Sequence, residues 1–141
     1  MIVLDTSVLI YGIGGPHPLQ APARELISSV EEGSLAATTT PDVLQEFLHT
    51  HARRRPRADV ASLARGWLTL LTPLASSTED DLGPALRLFE RHERLDAFDA
   101  ILAAVAMREK ATLISGDRAF AGVPKLKFIE LGSPPFERLL G

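Results

Sequence analysis

Apolar and polar positions switch between a strand-like and a helical period along this chain, and the order of the switches predicts alternating strands and helices. Ile2-Val3-Leu4 is a β-branched apolar run closed by Asp5-Thr6-Ser7, residues that favour helix starts, so it reads as a buried strand feeding a helix or turn. After a breaker segment from Gly12 to Pro18, Leu19, Ala23, Leu26, Ile27 and Val30 recur at helical spacing, and Gly33 stands where that helix should stop. Leu35 to Thr38 is a second short apolar run. Thr40 and Pro41 then look like the N-cap and first residue of a helix whose inner stripe is Val43, Leu44, Phe47 and Leu48. Cations around Pro56 interrupt the pattern, and Val60, Leu63, Trp67 and Leu71 resume it. Leu74 to Ser77 reads as a short strand. Thr78 with Asp81 approximates a capping box ahead of a helix carrying Leu82, Leu86 and Phe89. Phe98, Ile101, Leu102, Val105 and Ala106 predict a further amphipathic helix, followed by a strand over Thr112 to Ser115. Phe128 to Leu131 is the last expected strand, and Pro134-Pro135 opens a tail with little regular pattern.

Strands separated by helical segments imply right-handed crossovers, hence an α/β fold: a three-layer α/β/α sandwich with a mostly parallel central sheet. With 141 residues, 45% of them apolar, and no repeat or linker, one domain over 1–141 is expected. The absence of cysteine excludes disulfides, a cysteine nucleophile and thiolate metal sites, leaving oxygen or imidazole for any metal. A net charge of -3 rules out a globally basic nucleic-acid coat, so any such contact needs a local patch. The longest apolar runs fall far short of the ~20 residues of a membrane span. The first residues lack a basic region and meet an acid at Asp5, unlike a signal peptide, so a cytoplasmic location is the default expectation.

In parallel sheets, sites lie at the carboxyl ends of strands, which makes the acids there the ones to weigh. Asp5 ends the first strand, and Asp117 follows Ser115 through a single glycine. Asp99 opens the helix before that strand, on a face otherwise apolar, and Glu46 lies in the second turn of the helix begun by Thr40-Pro41. Each has a plainer reading: Asp5 as a helix cap, Asp117 as a turn former, Glu46 as a solvated helix residue. Held together, however, such carboxylates repel and raise one another's pKa until one takes a proton or a cation arrives. All-oxygen ligation suits Mg²⁺ or Mn²⁺. One or two such ions can activate water and stabilise the charge that develops in phosphodiester hydrolysis.

These residues carry a resemblance. Met1-Ile2-Val3-Leu4-Asp5-Thr6-Ser7-Val8-Leu9-Ile10, Glu46 in an early helix, Phe98-Asp99-Ala100-Ile101-Leu102-Ala103-Ala104-Val105-Ala106 and Leu113-Ile114-Ser115-Gly116-Asp117-Arg118-Ala119-Phe120 resemble, in order and spacing, the PIN-domain ribonucleases of the VapC toxin type. The resemblance implies a metal-dependent endoribonuclease using Mg²⁺ or Mn²⁺, inhibited by a cognate VapB-type antitoxin and expected to homodimerise. It also implies that Asp5, Glu46, Asp99 and Asp117 are the acidic quartet, with Thr6 and Ser115 as hydroxyls beside the metal. Asp96, three residues before Asp99, is either an outer contact of the metal or the acid that caps the helix. Asp80 and Asp81 read as helix N-terminal acids.

Arg53, Arg54, Arg55 and Arg57 form the densest cationic cluster, either a grip on an RNA backbone or a solvated interhelical loop, and Arg118 is a second candidate for phosphate contact. Aromatic residues are few, so no base-stacking platform is evident. His49 and His51 stand two apart rather than at the four-residue spacing of helical zinc pairs. Gly12 to Gly15 fits neither phosphate-binding glycine pattern and reads as a loop bordering the site. The serines lack a nucleophile elbow. Two rival classes remain: a non-catalytic PIN-fold module binding RNA or protein, and a phosphatase or receiver-like domain phosphorylated on Asp5, which the serine at position 7 disfavours. For the homodimer, the apolar helices after Pro56 are the expected surface, with Trp67, Leu63 and Leu71 reading first as core.

Overall fold

The computed structural model describes residues 1–141. Its elements run β1 (Ile2–Leu4), α1 (Thr6–Ile13), α2 (Gln20–Glu31), β2 (Ala37–Thr38), α3 (Pro41–His51), α4 (Arg57–Leu71), α5 (Glu79–Arg91), α6 (Ala97–Arg108), β3 (Thr112–Ser115), a 3-10 turn (Arg118–Gly122), β4 (Lys127–Glu130) and α7 (Pro134–Leu140). All strands are parallel, in the order β2-β1-β3-β4. Val3 pairs with Thr38 on one side and Leu113 on the other, which buries the whole of β1 and explains its unbroken apolar run. From β1 the chain steps to β2 at one edge and later returns to β3 on the opposite side. Right-handed crossovers therefore put α1 and α2 on one face and α3 to α6 on the other, giving the expected three layers. The strand order reverses at the β1/β3 boundary, so a crevice opens where the carboxyl ends of those two strands meet.

A core of 26 buried residues joins the layers, including Val3, Leu9, Leu26, Phe47, Leu113, Phe120 and Phe136. Trp67 and Leu71 belong to it, Trp67 meeting Phe47 edge-on at 6.4 Å between ring centroids, so this stripe of α4 is core. Entry into α3 is fixed from both sides. Thr40 Oγ1 accepts from the Val43 N–H at 3.2 Å with Pro41 at the first helical position, and Thr39 Oγ1 donates to the Leu4 carbonyl at 2.7 Å. The start of α3 is thereby tied to the end of β1. No helix is long and apolar enough to cross a membrane.

Two expectations are corrected, and one helix turns a face outward that its apolar period alone does not reveal. Leu74 to Ser77 is not a strand: Pro73 has no N–H to offer, and a single ladder-like bond, Ala75 N–H to Thr39 O at 3.0 Å, ties the segment to the β2 end. The tail is not irregular. Ser133 caps α7, accepting from the Phe136 N–H at 3.4 Å, and prolines at its start cost nothing because those N–H groups have no helical partner. Finally, α5 forms where the capping box predicts, but its apolar stripe faces out: Leu82, Leu86 and Phe89 are 54%, 59% and 50% exposed. Asp81 and Ala85 face inward instead. Ala85, Ala100 and Ala104 form a small cluster that lets α5 lie close against α6.

Asp81 is more than a helix-start acid. It is 2% exposed, accepts from the Thr78 N–H at 2.8 Å, and receives Arg108 of α6 through Nε at 2.7 Å and Nη2 at 3.0 Å. The guanidinium holds its carboxyl below the usual range. Since the folded-state pKa is depressed, the stabilisation is present above the unfolded value and disappears as pH falls through the folded one. Asp81→Ala is expected to cost about 1–2 kcal/mol near neutral pH through loss of the capping box and of a buried acceptor. Thermal melts should show that deficit shrinking toward pH 3; an equal deficit at both pH values would contradict the ion-pair account.

Candidate active site

Asp5 leaves β1 directly into the crevice. It occupies the N-cap position of α1 yet makes no side-chain cap bond, so the capping reading does not describe its carboxylate. Instead Oδ2 accepts from Ser115 Oγ, from the end of β3, and from Ser7 Oγ at 3.1 Å. Those hydroxyls accept in turn from the Asp117 and Gly116 N–H groups, each at 2.9 Å. The network ties the ends of β1 and β3 around a carboxylate that is 6% exposed. Burial pushes the Asp5 pKa up, the serine hydroxyls oppose this, and the charge of Asp117 adds to the rise.

Glu46 reaches the same place from the second turn of α3. Half-buried, its carboxyl is raised by burial and by repulsion from Asp5 and Asp96. Beside it lies the Thr6 hydroxyl, on a residue 2% exposed, whose oxygen has no hydrogen-bond partner of regular geometry. Asp99 stands in the first turn of α6. Burial above all, followed by repulsion from Asp96, Asp5 and Asp117, pushes its pKa up to about 7, against the opposing Asp96 N–H. Asp96 is the N-cap of α6: its Oδ1 accepts from the Asp99 N–H at 2.8 Å, and its own N–H donates to Asp99 Oδ2 at 3.2 Å. Asp117, exposed, uses Oδ1 to accept from the Ala119 N–H at 2.9 Å and so starts the 3-10 turn, leaving its other oxygen free.

Asp5, Thr6, Ser7, Glu46, Asp96, Asp99 and Asp117 line one cleft of about 420 Å³, with Ile10, Tyr11, Gly116 and Arg118 completing its wall. Four acids distant in sequence are thus brought to one crevice, though no three of the carboxylates yet converge on a single point. Asp5, Asp99 and Asp117 each spend an oxygen on a local donor. Arg118 stands at the rim, paired through Nε with Glu130 at 2.8 Å and still 75% exposed. The other arginines lie elsewhere. Arg53 and Arg57 border a separate cleft of about 430 Å³ at the far end of α3, with Gln45 and His49, while Arg54 and Arg55 are exposed in the turn beyond. His49 faces Arg53 at 3.2 Å, whereas His51 is buried against Phe47, so the two histidines diverge. Ser7 and Tyr11 escaped the sequence reading. They lie four apart in α1, and helical spacing from Asp5-Thr6-Ser7 is the signal that places both on the cleft face.

A family model for the PIN domain matches residues 2–126. The chain belongs to the PIN domain family. Among curated relatives, this PIN domain is 43% identical over 143 residues to Ribonuclease VapC7 of Mycobacterium tuberculosis (strain ATCC 25618 / H37Rv), covering 100% of this chain and 99% of that one. Ribonuclease VapC23 of the same strain is 32% identical over 116 residues, covering 81% and 90%. Among solved structures, VapBC2 from Rickettsia felis bound to a DNA fragment from its promoter superposes with a TM-score of 0.72 at 18% identity, covering 92% of this chain and 98% of that one. The sarcin-ricin loop cleaving toxin VapC20 of Mycobacterium tuberculosis superposes with a TM-score of 0.69 at 22% identity, covering 89% and 98%. At those identities the superpositions speak to the fold. The strand and helix that follow Leu126, β4 and α7, fall outside the span matched by the PIN model but inside the alignment to VapC7.

Proposed function

We propose that this chain is a single-domain, divalent-metal-dependent endoribonuclease acting as the toxin of a VapBC-type toxin-antitoxin pair. The observation that carries the reading is the convergence of Asp5, Glu46, Asp99 and Asp117 on one cleft at the β1/β3 switch point, with Asp5, Glu46 and Asp99 raised in pKa by burial and mutual repulsion. The full-length identity to Ribonuclease VapC7 supports the nuclease assignment. Solved VapBC complexes among the neighbours support an antitoxin partner.

The donor set fits a hard cation. It is all oxygen and carries excess negative charge, a description that matches Mg²⁺ or Mn²⁺. Asp5 and Asp99 are the principal ligands in this reading, Glu46 a further ligand or the residue that positions water, and Asp117 the acid that completes the set. Thr6, Ser115 and Asp96 orient those ligands from behind. Bound there, the ion would polarise a phosphate oxygen and make water a stronger nucleophile. The chain's own groups do the rest. Ser7 and Ser115 hold Asp5 in one rotamer, Asp96 fixes Asp99, and Arg118 at the rim offers its unpaired nitrogens to a phosphate. Arg53, Arg54, Arg55 and Arg57 lie outside the acidic cleft, and we assign them to backbone further along the RNA. Total cellular RNA incubated with purified protein in Mg²⁺, Mn²⁺ or chelator, beside Asp99→Asn, tests this directly. Discrete metal-dependent fragments are expected; intact RNA in every lane would favour a non-catalytic binding module.

For the expected homodimer we assign the outward stripe of α5, where Leu82, Leu86 and Phe89 line an apolar hollow of about 210 Å³ together with Ile101 of α6. Leu86→Glu should convert a dimer to a monomer in sedimentation equilibrium without lowering the melting temperature of the monomer; an unchanged mass would move the interface elsewhere.

A further inference from the structure

The acidic cleft has one aromatic wall that the quartet does not explain. Tyr11 lines it, and the imidazole of His17 lies flat on the tyrosine ring, with centroids 4.2 Å apart and planes inclined by 19°. His17 is solvent-exposed, an unusual place for a fixed ring, yet its loop is held on several sides. Its Nδ1 accepts from the Leu19 N–H at 3.0 Å and its carbonyl from the Gln20 N–H at 3.0 Å, while Gln20 Nε2 donates to the Gly14 and Gly15 carbonyls at 2.8 and 3.0 Å. With Nδ1 accepting, the neutral ring carries its proton on Nε2, which makes no hydrogen bond to the rest of the chain. On the inner side, Tyr11 packs over Gly116. A Cβ there would come within 2.9 Å of Tyr11 Cε2, so the glycine between Ser115 and Asp117 leaves room for the ring at the end of β3.

We propose that Tyr11 and His17 form a stacking platform for an unpaired nucleobase beside the scissile phosphate, so that the site takes single-stranded RNA and senses the base at one flanking position. One face of the imidazole is covered by tyrosine on a residue that is otherwise solvent-exposed, an arrangement in which an aromatic side chain can receive a splayed base. A ring pre-fixed by its loop loses little freedom when a base lands on it. The Nε2–H adds a donor for a base carbonyl at the platform edge. This inference rests on the ribonuclease reading for its substrate class.

Binding tests it independently of cleavage. Single-stranded RNAs with 2-aminopurine scanned through each position are titrated with Asp99→Asn protein in Mg²⁺, following fluorescence quenching and anisotropy. One position should quench strongly. Adding His17→Asn, whose amide oxygen can still accept from Leu19, should abolish that quench and weaken binding about tenfold, whereas His17→Phe, which keeps a ring, should retain both. In cleavage by otherwise unmodified protein, an abasic residue at that position should lower kcat/KM about tenfold, and His17→Asn enzyme should no longer respond to it. Quenching and abasic penalties indifferent to His17→Asn would overturn the platform while leaving the nuclease intact. No cleavage at all, with His17-dependent quenching preserved, would instead sink the hydrolytic reading and keep the base site.

Discussion

Asp5→Asn and Asp99→Asn should each lower RNA cleavage by about three orders of magnitude while leaving the fold in place. Either change removes the negative charge that the carboxylate would offer a bound cation, and the several kcal/mol of charge stabilisation that a correctly held divalent ion would supply converts, at 1.36 kcal/mol per decade, into a loss of that size. The substitutions are shape-conserving for reasons visible in the hydrogen bonds. An amide oxygen at position 5 still accepts from Ser7 and Ser115, and one at position 99 still accepts from the Asp96 N–H. Circular dichroism and melting curves should therefore match the parent. Ser115→Ala is the informative companion: it removes a donor to Asp5 but no charge, and should cost only about tenfold to a hundredfold. Full activity in both aspartate variants would refute the ligand assignment.

How far the chain could be read in advance depended on whether a residue's role is local. The buried β1, the Thr40-Pro41 start of α3 and the Thr78–Asp81 capping box are written in short spacings, and each forms as expected. Asp5 and Asp117 could be placed in advance because strand ends are legible and parallel topology fixes where those ends meet, whereas Glu46 and Asp99 stand on helices and were grouped with them only through the family resemblance. What escaped depends on partners far away in sequence. Leu82, Leu86 and Phe89 have the period of a buried face, but Arg108 claims Asp81 and three alanines close the α5/α6 contact, turning the small-residue face inward. Nothing within α5 alone distinguishes those two rotations. The helix from Pro134 was missed for a different reason: two prolines read as a breaker unless they fall at a helix start, where Ser133 and Phe136 already signalled one. The ring pair of Tyr11 and His17 was hidden because a loop of glycines and prolines separates them, and side-chain and backbone bonds from Leu19 and Gln20 to that loop bring His17 back onto α1.

In chelator, the protein should lose stability as pH rises from about 5 to about 7, and Mg²⁺ should restore it. The folded pKa of Asp99, about 7, lies above the ordinary unfolded value near 3.9. Between those values the folded state holds a proton that the unfolded state has released, so stability falls with pH across that window and levels off above it. Asp5 and Glu46, also raised, act in the same direction. Asp81, with a depressed pKa, acts in the opposite direction, but its window lies below about pH 4 and does not overlap. Because Asp99 is only partly buried, solvent screening leaves about 1–2 kcal/mol of the effect, or roughly 5 °C in melting temperature. A cation that binds only the folded state adds about 2.7 kcal/mol at a hundred times its dissociation constant. Its contribution should be larger at pH 8 than at pH 5, because at low pH it must displace the proton. Asp99→Asn should flatten the chelator profile and blunt the Mg²⁺ response, making the disabled variant the more stable apoprotein at pH 8. Parallel melting profiles for the two proteins in chelator would mean that Asp99 carries no excess proton in the folded state, and the electrostatic basis for metal binding at this cleft would fall with it.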